Sequence, residues 1–196
     1  PPWATKMRSN ALIEDYYRAI ADAAGVPVFV QNLLPPIGSG LSSAFIAHLC
    51  DQIPLIQYVQ EERDPHGEHV SELIALAGPV LRGVFTGGHP LGLVNGHNRG
   101  TADNIASCEL VDVYAQIWNL LEAGNVKEAR RLQDLEAVFY RCMRSVPGVG
   151  TRKHVMVRRG VFNSNAERNL GSVALDDVFM AELDHALDLL AHYFKM

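Results

Sequence analysis

The chain has 196 residues, a length between one domain and two. At 48% hydrophobic and 20% charged it carries enough apolar material for a core, which excludes a disordered or low-complexity polymer. The formal net charge of −5 argues against nucleic acid as a partner, because a phosphate-tracking surface needs net or clustered Lys and Arg.

No apolar run reaches membrane-spanning length, and the start (Pro1, Pro2, Trp3, Ala4) has neither a basic n-region nor an apolar h-region. No membrane and a cytoplasmic location are therefore expected. That start also lacks an initiator Met and opens as though in mid-structure, which favours, as one alternative, a part of a longer natural chain.

Asn10 is the expected cap of a helix over residues 11–20, and Gly25 its C′ residue. Residues 26–30 form a β-branched run expected to be a strand buried on both faces. Residues 32–40, with Pro35, Pro36, Gly38 and Gly40, read as a loop, after which Ser42 caps a helix carrying Phe45, Ile46 and Leu49. A strand over 55–60, a helix over 68–77 and a strand over 80–85 follow. A Gly-rich turn at Thr86, Gly87 and Gly88 leads to a short helix over 91–98 and a weak strand over 101–105. Strands alternating with helices predict an α/β fold with parallel pairing.

After residue 109 the strands stop. Helical patterns cover 109–122, 126–144, 151–159 and 175–193, broken at Gly124, at Pro147 to Gly150 and over the polar stretch 163–172. The predicted organisation is a sheet domain over 1–124 and a helical extension over 125–196.

Other clusters have plain readings. Cys50, Cys108 and Cys142 show no CxxC spacing and are expected to be reduced, mostly buried core thiols. His66 and His69 lack HExxH spacing and a third ligand, so a solvated helix start is expected and no metal. His89 is expected to be a loop histidine without a role. Arg152, Lys153, His154, Arg158 and Arg159 read as a solvated helix face. Trp3, Tyr16, Tyr17 and Trp118 read as core or subunit contacts.

In parallel α/β folds the chemistry sits at the C-terminal strand ends and the loops after them. Those positions here are Gln31 and Asn32, Gln60 to Glu62, Thr86 to Gly88, and 104–107. At these residues the sequence resembles the dihydrodipicolinate synthase/N-acetylneuraminate lyase family, the pyruvate-handling class I aldolases built on a (β/α)8 TIM barrel. Pro1 to Trp3 is similar to the end of the family's fourth strand, and 26–40 to its fifth strand and following loop. Residues 54–62 resemble the sixth strand, 83–88 the seventh and 99–110 the eighth. Arg158 to Val161 and Leu175 with Asp176 resemble the C-terminal helical extension. The resemblance implies a barrel represented here by its later strands, from the end of strand 4 to strand 8. The family's first three strands, with the loop that holds the keto acid's carboxylate, have no counterpart in this sequence.

The family forms a Schiff base between a keto acid and a Lys at the end of the sixth strand, followed there by Glu. The matching triplet is Val59, Gln60 and Glu61. A carboxamide nitrogen is delocalised and non-basic, so Gln60 cannot supply the amine that imine chemistry requires. The four lysines, Lys6, Lys127, Lys153 and Lys195, lie on helical or terminal stretches. Gln31 stands where the family usually carries a relay Tyr, Pro36 where dipicolinate-forming members carry an Arg, and Asp103 where a small residue is usual. The resemblance thus implies a lyase-type ancestry acting on 2-keto acids such as pyruvate, without a cofactor, in a homo-oligomeric dimer or tetramer. Gln60 and Gln31 take the catalytic positions, and Trp3, Asn32, Thr86, Gly87, Gly88 and Asn104 frame the substrate. Gln60 makes activity doubtful, and the alternative is an inactive homologue that binds a ligand or forms oligomers.

Overall fold

A computed structural model describes residues 9–87, 92–145, 150–168 and 175–194. Trp3, Gly88, His89, Lys6 and Lys195 lie outside the described residues. The chain divides into two compact units, one ending at Ile105 and one beginning at Ala106.

In the first unit, helix α1 (Asn10–Ala24) starts one residue earlier than its apolar pattern suggests. Ser9, not Asn10, is the cap: it keeps an extended backbone and its hydroxyl accepts the Leu12 N–H at 3.3 Å. Asn10 is already helical. Gly25 closes the helix at φ 63°, in the left-handed region, donating its N–H to Ala21 O. Ile13, Tyr17 and Ala21, spaced by four, form its buried stripe.

Strand β1 (Val28–Asn32), helix α2 (Ser43–Gln52), strand β2 (Ile56–Glu61), helix α3 (His66–Ala77), strand β3 (Gly83–Gly87), helix α4 (Gly92–Asn98) and strand β4 (Asp103–Ile105) follow. All pairings are parallel and the spatial order is β1-β2-β3-β4. Successive strands lying side by side, each separated from the next by a helix, are the pattern of consecutive units in a (β/α)8 barrel, as the sequence resemblance implies. Ser42 caps α2 as expected, its hydroxyl accepting the Phe45 N–H.

Helices cover one face of this sheet. Val30, Val59 and Val84 lie in register there and pack with Ile46 and Leu49 of α2 and Val70 and Leu73 of α3. Fully burying such side chains contributes roughly 1.5–3 kcal/mol each. The expectation that residues 26–30 are buried on both faces does not hold. The strand is displaced toward Asn32, Val30 is fully buried, and Phe29 on the other face is 44% exposed.

The second unit is helical: α5 (Val111–Glu122), α6 (Val126–Arg144), α7 (Gly150–Arg158) and α8 (Asp177–Asp188). Its core joins Ile117 and Leu121 of α5, Leu132 and Phe139 of α6, and Leu183 and Leu187 of α8. Since α5 packs against α6, it falls in this unit, and the compact units divide before residue 124. The helical pattern over 175–193 is split: α8 ends at Asp188, and a 3₁₀ turn, Ala191–Tyr193, follows. Tyr114 donates a 2.6 Å hydrogen bond to Glu136, whose carboxyl is pushed up to about 7 by burial.

Two expectations are corrected here. Cys50 is buried, but Cys142 is half-buried and Cys108 exposed, the latter in the turn that precedes α5. The basic residues near α7 are paired as well as solvated. Arg152 meets Glu109 at 3.2 Å, His154 and Arg158 both reach Asp184, and Arg159 pairs with Asp112.

Candidate functional site

Residues joined in a parallel register point to the same side of the sheet, and each next residue points to the other. This rule sorts the candidate residues into two sets. On the open face lie Phe29 and Gln31 of β1, Tyr58 and Gln60 of β2, Gly83, Phe85 and Gly87 of β3, and Asp103 and Ile105 of β4. On the helix-packed face lie Asn32, Glu61, Thr86 and Asn104, all at one level.

A local irregularity creates this sorting in β2. The register runs Val28 to Ile56 but then Phe29 to Tyr58, so Gln57 is an extra residue. Ile56 and Val59 are both fully buried although three apart. Without the irregularity, simple alternation from Ile56 would send Tyr58 and Gln60 into the helix layer.

Gln31 and Gln60 are therefore brought together, adjacent across the β1–β2 pair and both half-buried. Phe85 and Asp103 continue the same level on β3 and β4. One level nearer the strand N-termini, Phe29 stacks on Tyr58 with ring centroids 4.7 Å apart, and Phe85 meets Phe29 edge-on at 5.2 Å. Just beyond β2, Glu62 accepts a 2.8 Å hydrogen bond from the Gln31 carboxamide. Gly87 leaves room for that carboxylate: a Cβ there would sit 2.2 Å from Glu62 Oε1, so the Glu62 side chain would have to move. Phe85 was not among the residues expected to form the site, and Glu62 was expected only as a strand-end position without a role. Period-two spacing from Gln60 already places Glu62 on the Gln60 face.

Asn32, Thr86 and Asn104 do not share this face. Asn32 is 1% exposed and Thr86 fully buried. Asn32 acts as a side-chain peptide group: its Oδ1 accepts the Leu41 N–H at 2.8 Å, and its Nδ2 donates to Leu41 O and to Glu61 Oε2. It thereby anchors the far end of the 33–41 loop. Asn104 donates to Thr86 Oγ1 and to Gly87 O, both at 2.7 Å. Asn32, Thr86 and Asn104 thus stand on the side of the sheet opposite Gln60.

Glu61 is fully buried, and desolvation pushes its carboxyl above the ordinary range. The Asn32 amide and the Arg63 N–H, at 2.8 Å each, oppose that shift. His66 bonds to Glu61 O at 2.7 Å and His69 Nδ1 to Arg63 at 2.8 Å. These histidines pin the start of α3 to the end of β2 rather than standing in solvent. Among the described residues no cluster of three or more His, Cys, Asp or Glu is arranged to hold a metal ion. Among them, too, no helix is long and apolar enough to cross a membrane.

No protein-family model matches the chain. An L-2-keto-3-deoxyarabonate dehydratase of Azospirillum brasilense is 25% identical over 171 residues, covering 86% of this chain and 55% of the relative. Among solved structures, YagE of E. coli K12, a prophage protein of the dihydrodipicolinic acid synthase family seen in complex with pyruvate, superposes with a TM-score of 0.83 at 20% identity. That match covers 96% of this chain and 64% of YagE. Dihydrodipicolinate synthase from Rhodopseudomonas palustris gives 0.82 at 22% identity over 94% of this chain and 63% of its own. The 4-hydroxy-tetrahydrodipicolinate synthase of Methylacidiphilum fumariolicum SolV gives 0.82 at 18%, over 98% and 64%. The chain thus spans between half and two thirds of the length of these relatives, and its fold is that of a partial (β/α)8 barrel with a helical extension.

Proposed function

We propose that this chain, which belongs to the dihydrodipicolinate synthase/N-acetylneuraminate lyase family, is a homologue that has lost Schiff-base turnover and keeps a ligand-binding face at the C-terminal ends of its strands. The observation that carries this reading is the placement of Gln60 beside Gln31 on the open face, next to Phe85 and Asp103. Imine formation expels water between a carbonyl and a free amine, and a carboxamide nitrogen has no available lone pair for that attack. Lys127 and Lys153, the lysines among the described residues, lie on α6 and α7 of the helical unit.

The dehydratase relative and the pyruvate bound to YagE support a 2-keto acid as the ancestral ligand class and a lyase as the ancestral activity. Counting by βα repeats, α5 is the helix that follows the last strand, which supports a barrel part running to residue 124 and an extension over 125–196. The open face carries exposed Phe29 and Ile105, which favours self-association into a homo-oligomer as the second role. Light scattering tests that role, and a stable monomer counts against it.

Incubating the chain with pyruvate and borohydride, then measuring intact mass, should give no adduct; a stable adduct overturns the proposal. Gln60→Lys should gain one adduct on that residue. A variant that folds and stays unlabelled would remove Gln60 from the Schiff-base position.

A further inference from the structure

One ring nitrogen near the start of α3 stands between two rival partners. His69 Nδ1 lies 2.8 Å from the Arg63 guanidinium and 3.6 Å from the Glu72 carboxylate. Arginine only donates hydrogen bonds, so the closer contact requires a lone pair on Nδ1 and a neutral ring. A second proton would land on that same nitrogen. It would turn an acceptor into a donor facing Arg63 and set two positive charges side by side. Glu72, one turn along the same helix, is the acceptor that suits the charged ring. The His69 side chain is 20% exposed, so the proton can arrive from solvent.

Arg63 has few other anchors. Its Nε is buried without a hydrogen-bond partner among the described residues, and its contact with Ser43 Oγ is long at 3.5 Å. Its backbone N–H donates to Glu61 Oε1 at 2.8 Å. Between these two residues stands Glu62, whose N–H donates to Asn32 O and whose carboxylate accepts from Gln31 on the open face. Arg63 therefore fixes the outgoing end of the peptide that carries Glu62. The neighbouring His66 differs: its Nε2 faces Glu61 O, which only accepts, so that bond survives protonation of the other ring nitrogen. From the flanking helices, α2 brings Ser43, which bonds Glu72, and Arg99 beyond α4 turns to Asn95 and Ser71.

We propose that His69 is a proton-operated latch on the segment carrying Glu62. Neutral, it holds Arg63; protonated, it turns to Glu72 and frees Arg63, and the bond between Glu62 and Gln31 loosens. The open face then carries a fixed carboxylate at higher pH and a mobile one at lower pH. This latch concerns the placement of Glu62 and does not depend on whether residue 60 forms an imine.

The test follows two NMR signals of the full, isotope-labelled chain as pH falls from about 8 to about 5: the His69 ring nitrogens and the Gln31 side-chain amide. Both should move with one common midpoint, because the Gln31 amide reports its bond to Glu62. Glu72→Gln, at a largely exposed position, removes the acceptor of the charged ring and should lower that midpoint by a few tenths of a pH unit for both signals. His69→Gln, which cannot titrate, should remove the Gln31 transition altogether.

A Gln31 signal that stays flat while His69 titrates overturns the inference. So does a Gln31 midpoint unmoved by Glu72→Gln. A Gln31 transition that persists in folded His69→Gln belongs to Glu61 or Glu62 and overturns it too. Should His69→Gln not fold, the wild-type and Glu72→Gln titrations decide by themselves. Borohydride-trapped pyruvate would overturn the loss of Schiff-base chemistry and leave the latch as it stands.

Discussion

The two faces of the four strands carry polar residues at the same level and use them in opposite ways. On the helix-packed face, Asn32, Glu61 and Thr86 are buried and Asn104 is half-buried, and their hydrogen bonds run to one another and to nearby backbone. On the open face, Gln31, Gln60, Glu62 and Asp103 remain half-buried above an aromatic cluster. Burial turns the first set into structure, since an enclosed polar group must be satisfied or it destabilises the fold. Partial exposure leaves the second set available to a ligand.

Substitutions should separate the faces by size of effect. Leu73→Ala, in the helix-packed core, should cost about 2–5 kcal/mol in urea unfolding, because a cavity remains where neighbours cannot close in. Asn32→Ala should cost about 2 kcal/mol, leaving Glu61 and the Leu41 peptide groups without their partner. It should also speed proteolysis in the 33–41 loop, which has lost its anchor.

The pH dependence of stability sharpens the contrast. A carboxyl raised above its unfolded value keeps its proton in the native state after the unfolded chain has lost it. The contribution of Glu61 is therefore greatest below the unfolded value near 4.5 and declines as pH rises through the raised native value. Glu136 acts in the same direction from the helical unit. Glu61→Gln should accordingly flatten, not abolish, the fall in unfolding free energy between acid and neutral pH. An unchanged slope would show that Glu61 stays ionised in the native state.

On the open face the effects should be smaller. Phe29→Ala should cost about 1 kcal/mol, mainly the lost ring contacts with Tyr58 and Phe85. A loss as large as that of Leu73→Ala would show this face to be covered. Gln60→Ala should change stability by less than about 0.5 kcal/mol, so any effect it has on ligand binding reads the site directly.

Much of the fold is visible in local sequence. The helix over 126–144 agrees with α6 at both ends, because an amphipathic stripe, the Asn125 cap and Gly124 mark it without help from elsewhere. Gly25 and Ser42 act as expected for the same reason. The misses are equally particular. Ser9 and Asn10 are both good caps, and only the backbone bend chooses between them. Asn32 stands beside Gln31 in sequence, and the bond to Glu61 that the pleat allows on the other side is not visible there. Glu62 is a third acceptor after Gln60 whose role depends on Gly87 across the sheet.

Residue type and order alone determined that strands alternate with helices, that a helical stretch follows, and that no amine stands at residue 60. These are properties of covalent chemistry and of short-range periodicity. Tertiary structure decided which strand-end side chains share a surface. One extra residue at Gln57 reverses the facing of everything after it in β2, and partners more than twenty residues away then fix Glu62 and Glu61 on opposite sides. Facing depends on register between strands, and register is set by packing against α2 and α3 rather than by any local signal.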